Sequence, residues 1–252
     1  MDIPVNMAFL ETTMLAGVRI VAFLVLAPPF SFSGIPLRIK GMLAVALSLV
    51  VAPRVGTDAT RSIDTGVFLL SLVMQLVIGA LLGFLVLMVF AAVQSAGNLI
   101  DLFAGFQMSQ AYDPQMNLNG AQMTRLMQMV ALGLLFVSGG AELVLGGLFR
   151  TFDALPVTGM LDPSAGDRLL PGVGAMFLAA VQIAGPIVVV LFLADVGLGL
   201  LTRVAPALNA FQLGYPLKIL ITLLAGGVVF LGLPRVIATL TDDALRLMGA
   251  VS

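Results

Sequence analysis

Three charged residues interrupt long apolar stretches of this 252-residue sequence: Arg19, Glu142 and Asp195. A charge inside a membrane costs about 2.5–3.5 kcal/mol on insertion scales, so each must face protein, water or an opposite charge. One interpretation makes the three a proton or ion relay around a midplane site, as in a small secondary transporter. The other makes them ion-pair or hydrogen-bond partners that lock helices or subunits together. The structural interpretation is favoured, because three isolated charges on three segments supply no ligand cluster.

The residue types that carry most enzyme chemistry are missing. The chain has no Cys and no His, which removes disulfides, the usual zinc ligands and the ordinary nucleophile–base pairs of hydrolases. HExxH, GxxxxGK[ST] and GxSxG are absent, and ADVGLGL around Asp195 lacks the Gly-x-Gly-Asp arrangement of intramembrane aspartyl proteases. We therefore predict no enzymatic activity, no metal and no cofactor.

Composition indicates that the bilayer is the solvent of this chain. Hydrophobic residues make up 60% of it and charged residues 10%, whereas soluble domains carry roughly 25% charged residues. The net charge is −1 and the 12 basic residues are scattered singly, which argues against a nucleic-acid partner. Asp2, Glu11 and Arg19 argue against a secretory signal, so we expect a retained first segment. There is no Trp to form an aromatic belt, so we expect less lipid contact than the hydropathy implies.

Apolar stretches bounded by turn or charge signals predict an all-α fold of five or six helices and no strands. The second stretch is too short for the roughly 17–25 residues of a span. The third helix should continue past its apolar part, because Gln94, Asn98 and Asp101 follow at the spacing of one helical face. Gly79 and Gly83 form a GxxxG pair that predicts close helix packing. The stretches cover 12–29, 42–52, 66–93, 126–149, 173–202 and 218–236.

The polar centre of the chain is AGFQMSQAYDPQMNLNGAQMTRLMQM, from Ala104 to Met129. It contains five of the 14 methionines. Because methionine is flexible and adapts to irregular surfaces, this loop could form a deformable seal around unlike chains. The alternative is an ordinary surface loop followed by the start of a buried helix.

Two other polar stretches lie at helix boundaries. In FSFSGIPLRIK, Pro36 can open a helix, and Arg38 and Lys40 would then favour a phosphate-rich interface. In RVAPALNAFQLGYPLK, Pro206 and Pro216 are expected to end the flanking helices. Asn209 and Gln212 would bond the backbone groups freed at those ends, and Arg203 and Lys218 would mark the boundaries. This second stretch is therefore predicted to be a rigid hairpin tip.

The stretch ADVGLGLLTRVAPALNAFQLGYPLKI resembles the C-terminal signature of the FliR family, membrane components of the flagellar export gate and of its virulence-secretion relatives. RIVAFLVLAPPFSFSGIPLRIKGMLAVALS and AGFQMSQAYDP extend the likeness over nearly the whole chain. The resemblance implies a non-enzymatic gate subunit that acts with FliP, FliQ and the platform protein FlhB. Such a subunit sits in the bacterial inner membrane at the flagellar basal body and moves unfolded export substrates.

The resemblance also implies long bent helical hairpins, stacked in a hetero-oligomeric helical gate around a pore. Within a single domain, 1–252, we expect N-terminal hairpins over 12–101, a pore loop over 102–125 and C-terminal hairpins over 126–252. The family's mid-chain loop plugs the closed pore, and it corresponds here to about Gly105 to Gly120. The predicted seal residues are Gly105, Phe106, Gln107, Met108, Tyr112 and Met116.

The remaining candidate residues are expected to contact neighbouring subunits or to shape the hairpins, with membrane lipid covering the rest of the surface. A purely structural scaffold, with no sealing role for the mid-chain loop, is a third hypothesis. The predicted contact or structural residues are Arg19, Pro36, Arg38, Lys40, Asp195, Arg203, Pro206, Asn209, Phe211, Gly214, Pro216 and Lys218.

Overall fold

The computed structural model describes residues 7–31, 34–55, 64–107, 122–159, 165–205 and 210–251. Over these residues the chain forms seven α-helices and no strand, which confirms the predicted all-α fold. The helices are α1 (Met7–Leu26), α2 (Leu37–Val55), α3 (Thr65–Ala104), α4 (Gln122–Val137), α5 (Gly140–Ala154), α6 (Ala165–Val204) and α7 (Ala210–Val251).

The fourth apolar stretch, 126–149, forms two helices where the pattern predicted one. The break falls at Gly139, whose φ of 73° lies in the left-handed region. Glycine enters that region without the steric penalty that other residues pay, so the chain can end α4 and begin α5 at this point. Counted as one broken segment, α4 and α5 bring the total to six, within the predicted range.

The short second stretch lies inside a longer helix. α2 has 19 residues, contains Pro53 and begins directly after Pro36, whose carbonyl accepts the amides of Ile39 and Lys40. By length and composition, four helices of the described chain can cross a membrane, or five if α4 and α5 are one broken span, and α2 is not among the four. The expectation that the second stretch is not a simple span therefore agrees with the structure.

One prediction for α2 is wrong. Arg38 is exposed, as a cation at an interface would be, but the side chain of Lys40 is buried. The reason is the helical period, because Lys40 begins the stripe that continues through Ala44 and Ser48 and faces other helices.

Helix α3 has 40 residues and runs through Asp101 to Ala104, which confirms that it continues past its apolar part. At about 1.5 Å per residue it is roughly 60 Å long, twice the thickness of a hydrocarbon core. It ends in a Schellman motif with Gly105 at a φ of 81°. The amide of Gly105 bonds the carbonyl of Leu102 at 3.3 Å, and that of Phe106 bonds the carbonyl of Asp101 at 3.0 Å.

The chain forms two compact units, and α3, α6 and α7 contribute to both. In the first, Gly79 and Gly83 of α3 pack against α1, where a methyl group on Gly83 would lie 3.0 Å from Cβ of Leu26. The GxxxG pair therefore allows the close packing that the sequence predicted. Unit 1 consists of Met1–Val89, Ser138–Gly172 and Leu240–Ser252, and unit 2 of Phe90–Val137 and Val173–Thr239.

The helices differ in how much of their apolar surface the chain itself covers. In α3 and α1, 61% and 44% of the most apolar 18-residue stretch is buried. In Pro171–Val204 of α6 and Leu213–Gly249 of α7, only 28% and 17% of the corresponding stretch is buried. Large apolar side chains such as Phe192, Leu224 and Leu231 are exposed on α6 and α7. These two helices therefore present most of their apolar surface to whatever surrounds the chain.

Candidate functional site

The carboxylate of Asp101 holds the start of α4 against the end of α3, within unit 2. One oxygen accepts the amide of Met123 at 2.9 Å, and the other accepts the amide of Thr124 at 2.8 Å and its hydroxyl at 2.5 Å. Asp101 is fully buried. Its carboxylate acts as an N-cap that comes from another helix, and its negative charge suits the positive end of the α4 dipole.

The contact between α3 and α4 continues one turn earlier on α3. The hydroxyl of Thr124 also lies 2.9 Å from Oδ1 of Asn98, and its single proton can serve only one of its two acceptors at a time. A methyl group on Gly97 would lie 2.6 Å from Cα of Thr124, so the two backbones meet closely here. Asn98 and Asp101 belong to the polar face predicted from the sequence, whereas Thr124 was not singled out.

The C-terminal motif joins α6 to α7, also within unit 2. The ammonium of Lys218 lies 2.6 Å from Oδ1 and 2.8 Å from Oδ2 of Asp195. The Lys218 side chain is 18% exposed and that of Asp195 is 46% exposed. Gly214 is buried, and a methyl group on it would lie 3.1 Å from Cδ1 of Leu198. The ion pair and the close approach together fix how the two helices meet.

The boundaries of this motif differ in part from the prediction. α6 ends at Val204, before Pro206, and Arg203 lies in its last turn, where a cation suits the free carbonyls. Pro216, however, does not end a helix, because α7 begins at Ala210 and continues through it. Apolar helices tolerate an internal proline when neighbouring groups satisfy the freed carbonyl. Lys218 therefore lies inside α7 rather than at its boundary.

Two of the three motifs that carry the family resemblance, the mid-chain motif and the C-terminal motif, meet at Gly105. A methyl group on Gly105 would lie 3.8 Å from Cδ2 and Cε2 of Tyr215 in α7, so the end of α3 reaches the ring. Phe106 and Gln107 follow in the turn that ends α3. Phe211 lies in the first turn of α7. The other predicted residues Met108, Tyr112, Met116, Pro206 and Asn209 lie outside the described residues.

Arg19 forms the main polar contact of unit 1 and is fully buried. Its Nε donates to Oε1 of Gln75 in α3 at 2.5 Å, Nη1 to the carbonyl of Thr151 at 3.1 Å, and Nη2 to the carbonyl of Leu155 at 2.8 Å. The ring of Phe152 lies 4.1 Å from the guanidinium carbon. The cation therefore ties α1 and α3 to the C-terminal end of α5, where carbonyl dipoles and the aromatic face stabilise a positive charge.

The three charges that suggested a relay have separate surroundings. The hydrogen bonds of Arg19 go to amide, hydroxyl and carbonyl groups of its own unit, and Asp195 pairs with Lys218 in unit 2. Glu142 is exposed in the first turn of α5, where its charge suits the helix dipole. Within the described ranges, no three potential metal-ligating side chains cluster. The geometry of Arg19 and Asp195 fits the interpretation in which charges lock helices together.

Long apolar helices whose polar side chains join helix to helix define an integral membrane protein of the all-α class. Residues 10–244 match the family described as "Bacterial export proteins, family 1". The chain therefore belongs to this family of bacterial export proteins, and the predicted resemblance to the FliR family is confirmed.

Three relatives illustrate the range of the match. The chain is 34% identical to flagellar biosynthetic protein FliR of Escherichia coli (strain K12) over 206 residues, which cover 80% of this chain and 77% of that one. It is 29% identical to FliR of Bacillus subtilis (strain 168) over 242 residues, or 92% of each chain. It is 31% identical to Yop proteins translocation protein T of Yersinia pestis over 208 residues, or 79% and 78%.

Proposed function

We propose that this chain is a non-enzymatic subunit of the flagellar type III export gate and forms part of the channel for unfolded flagellar proteins. The family match over residues 10–244 carries the proposal. Relatives whose names state flagellar biosynthesis or protein translocation are similar over three quarters or more of their own length. The driving force for export comes from other components.

The uncovered surface of α6 and α7 supports a role inside an assembly. The most apolar stretches of α6 and α7 are only 28% and 17% buried within the chain, so lipid or other subunits must cover the rest. The half-exposed carboxylate of Asp195 lies on this apolar surface and suits a protein neighbour better than lipid tails. We propose that FliP, FliQ and FlhB cover much of this surface, with lipid of the bacterial inner membrane covering the remainder, at the flagellar basal body.

A second part of the proposal is that the segment from Gly105 to Gly120 seals the closed channel. Two contacts at its ends support this role: Gly105 meets Tyr215, and Asp101 caps α4. The end of α3 and the start of α4, which flank the segment, therefore belong to one compact unit. Methionine side chains are soft enough to close around chains of different shape. Gln107 and Met108 would begin the sealing surface.

Co-expression with FliP and FliQ tests the main proposal. With an affinity tag on this chain alone, we expect all three proteins to purify together in mild detergent. Leu224 is 69% exposed on α7, so Leu224→Glu should reduce co-purification without lowering the thermal stability of the isolated chain. Leu224→Met is the matched control and should co-purify normally. A tagged chain that purifies as a lipid-covered monomer in the presence of FliP and FliQ would contradict the proposal.

The secondary-transporter hypothesis predicts that the chain is active without partner subunits. The purified chain in liposomes would then move a proton or small solute without partners, and Asp195→Asn would abolish that flux. Because Asp195 is paired with Lys218 and Arg19 is bonded within its own unit, we expect no such flux. Flux by the chain alone that depends on Asp195 would count against the gate proposal.

A further inference from the structure

The residue directly before α4 in the sequence offers no capping side chain. Helices usually begin after Ser, Thr, Asp or Asn, whose side chain accepts an amide of the first turn. The residue before Gln122 is alanine, whose side chain has no hydrogen-bond acceptor. The first-turn amides of Met123 and Thr124 instead donate to Asp101, 22 and 23 residues earlier in the chain.

A capping carboxylate from another helix does more than satisfy amides. A cap next to the helix in sequence leaves the helix free to shift as a body, whereas a cap from α3 also fixes where α4 begins relative to α3. The two oxygens of Asp101 bond different amides, so both distance and direction are set. Burial strengthens the constraint, because a buried carboxylate that lost these donors would carry a large desolvation penalty.

Gly97 of α3 allows the close approach of α3 and α4 at the same contact. It lies one turn before Asp101 on the same face of α3. Because a methyl group on Gly97 would lie 2.6 Å from Cα of Thr124, any larger residue would push the helices apart. The glycine sets the spacing, and the carboxylate sets the register. Both features lie at the base of the segment that follows α3.

We infer that Asp101 is a positioning residue for the proposed seal: through Met123 and Thr124 it holds the first turn of α4 in register with the last turns of α3, and so fixes the frame from which the sealing segment extends. This inference rests on the proposed sealing function. It assigns to Asp101 a role separate from helix capping as such, and that difference can be measured.

The first measurement is amide hydrogen exchange at Met123 and Thr124 in the full chain with the subunits that co-purify with it. Asp101→Asn replaces one of the two acceptor oxygens with an NH₂ group that cannot accept, so the amide that loses its acceptor should exchange roughly two- to thirtyfold faster, the range that corresponds to a lost cap. Asp242→Asn makes the same chemical change at an exposed position of α7 and should alter neither rate. Unchanged exchange in Asp101→Asn would overturn the inference.

The second measurement is ion leakage through the assembled complex in cells. Asp101→Asn should leak, and Asp242→Asn should not. Thr124→Val provides a milder test if Asp101→Asn fails to assemble, since it removes only the hydroxyl contact. Thr124→Val should show a smaller leak, whereas Thr124→Ser keeps the hydroxyl and should show none.

A rescue experiment separates positioning from capping. Ala121→Asp in the Asp101→Asn background gives α4 a local cap, which should restore slow exchange at Met123 and Thr124. If Asp101 positions α4 against α3, the leak persists in this double variant. If the local cap also abolishes the leak, Asp101 is only a cap and the inference is overturned.

Failure of the inference can be told apart from failure of the proposed seal. If shortening the segment between α3 and α4 causes a leak and Asp101→Asn does not, the seal stands and the inference falls. If neither change causes a leak while exchange at Met123 rises, the proposed sealing function itself is wrong, and with it the inference that rests on it.

Discussion

Gly79 of α3 lies against the main chain of Arg19 in α1, so closely that a methyl group on Gly79 would overlap the carbonyl oxygen of Arg19. A Cβ there would also lie 2.9 Å from Cβ of Ala22. The same arginine extends its side chain to Gln75, one turn before Gly79. The close packing of α1 on α3 and the polar contact of unit 1 are therefore parts of one arrangement.

Gly79→Ala should separate α1 from α3. Overpacking a tight contact costs typically about 1–3 kcal/mol, and here the neighbour is backbone, which cannot turn away. We expect a lower unfolding temperature of the purified chain in detergent. Gly41→Ala in α2 is the matched control, because no atom lies within 4 Å of its added methyl group. It should be neutral or slightly stabilising, and equal effects of the two variants would contradict the packing argument.

Arg19→Met should destabilise unit 1 strongly. It leaves Oε1 of Gln75 and the carbonyl of Leu155 without the donors that Arg19 supplies, and each orphaned acceptor costs about 1–3 kcal/mol. The carbonyl of Thr151 loses the Arg19 bond but keeps the amide of Leu155 at 2.9 Å. Arg19→Lys should restore little of the lost stability, because one ammonium group cannot reach acceptors on three different residues. Chemical unfolding of the purified chain measures both effects. Arg54 is exposed in the last turn of α2, so Arg54→Met should change stability by less than about 0.5 kcal/mol.

The ion pair between Asp195 and Lys218 should show a measurable coupling. Because Asp195 is 46% exposed, we expect a coupling free energy of about 0.2–1 kcal/mol in the isolated chain. A double-mutant cycle with Asp195→Asn and Lys218→Gln measures it through unfolding in detergent. Exchanging the charges, with Asp195→Lys and Lys218→Asp together, should recover part of the stability lost by either change alone. A swapped variant less stable than both single reversals would show that the pair does not join α6 to α7 through its charges.

Shortening the mid-chain segment should open the closed channel. We expect deletion of 111–116 to let ions leak through the assembled complex in cells that also express FliP and FliQ. The leak should vanish when the partners are absent, because the proposal makes this chain only one part of the channel. An equally long deletion, 57–62 between α2 and α3, is the control and should not leak. A tight complex after deletion of 111–116 would favour the scaffold hypothesis over the seal.

Local patterns predicted much of the fold and of the candidate site. Helical spacing showed that α3 continues to Asp101, and the GxxxG pair at Gly79 and Gly83 predicted a close helix contact. Both features depend on residues within a few turns of one another, for which period and side-chain size decide the outcome. The polar face with Asn98 and Asp101 was also visible in the sequence.

Two predictions from the sequence were wrong, and one helix break was not predicted. Lys40 looked like an interfacial cation, but the face of α2 on which it lies packs against other helices. Pro216 looked like a helix end, but α7 runs through it. The break at Gly139 was equally open to either outcome in the sequence, since a glycine in an apolar stretch serves a packed helix as well as a left-handed turn.

By itself, the sequence determined that this chain is an apolar helical membrane protein, where its long helices lie, and which few polar residues must find partners. Only the tertiary structure decided which groups those polar residues bond. Arg19 bonds groups 56, 132 and 136 residues away, and Asp101 caps a helix that starts beyond an intervening segment. The physical reason is that helix formation depends on neighbours a few residues apart, whereas the partner of a buried polar group is whichever group the packing of other helices brings within about 3 Å.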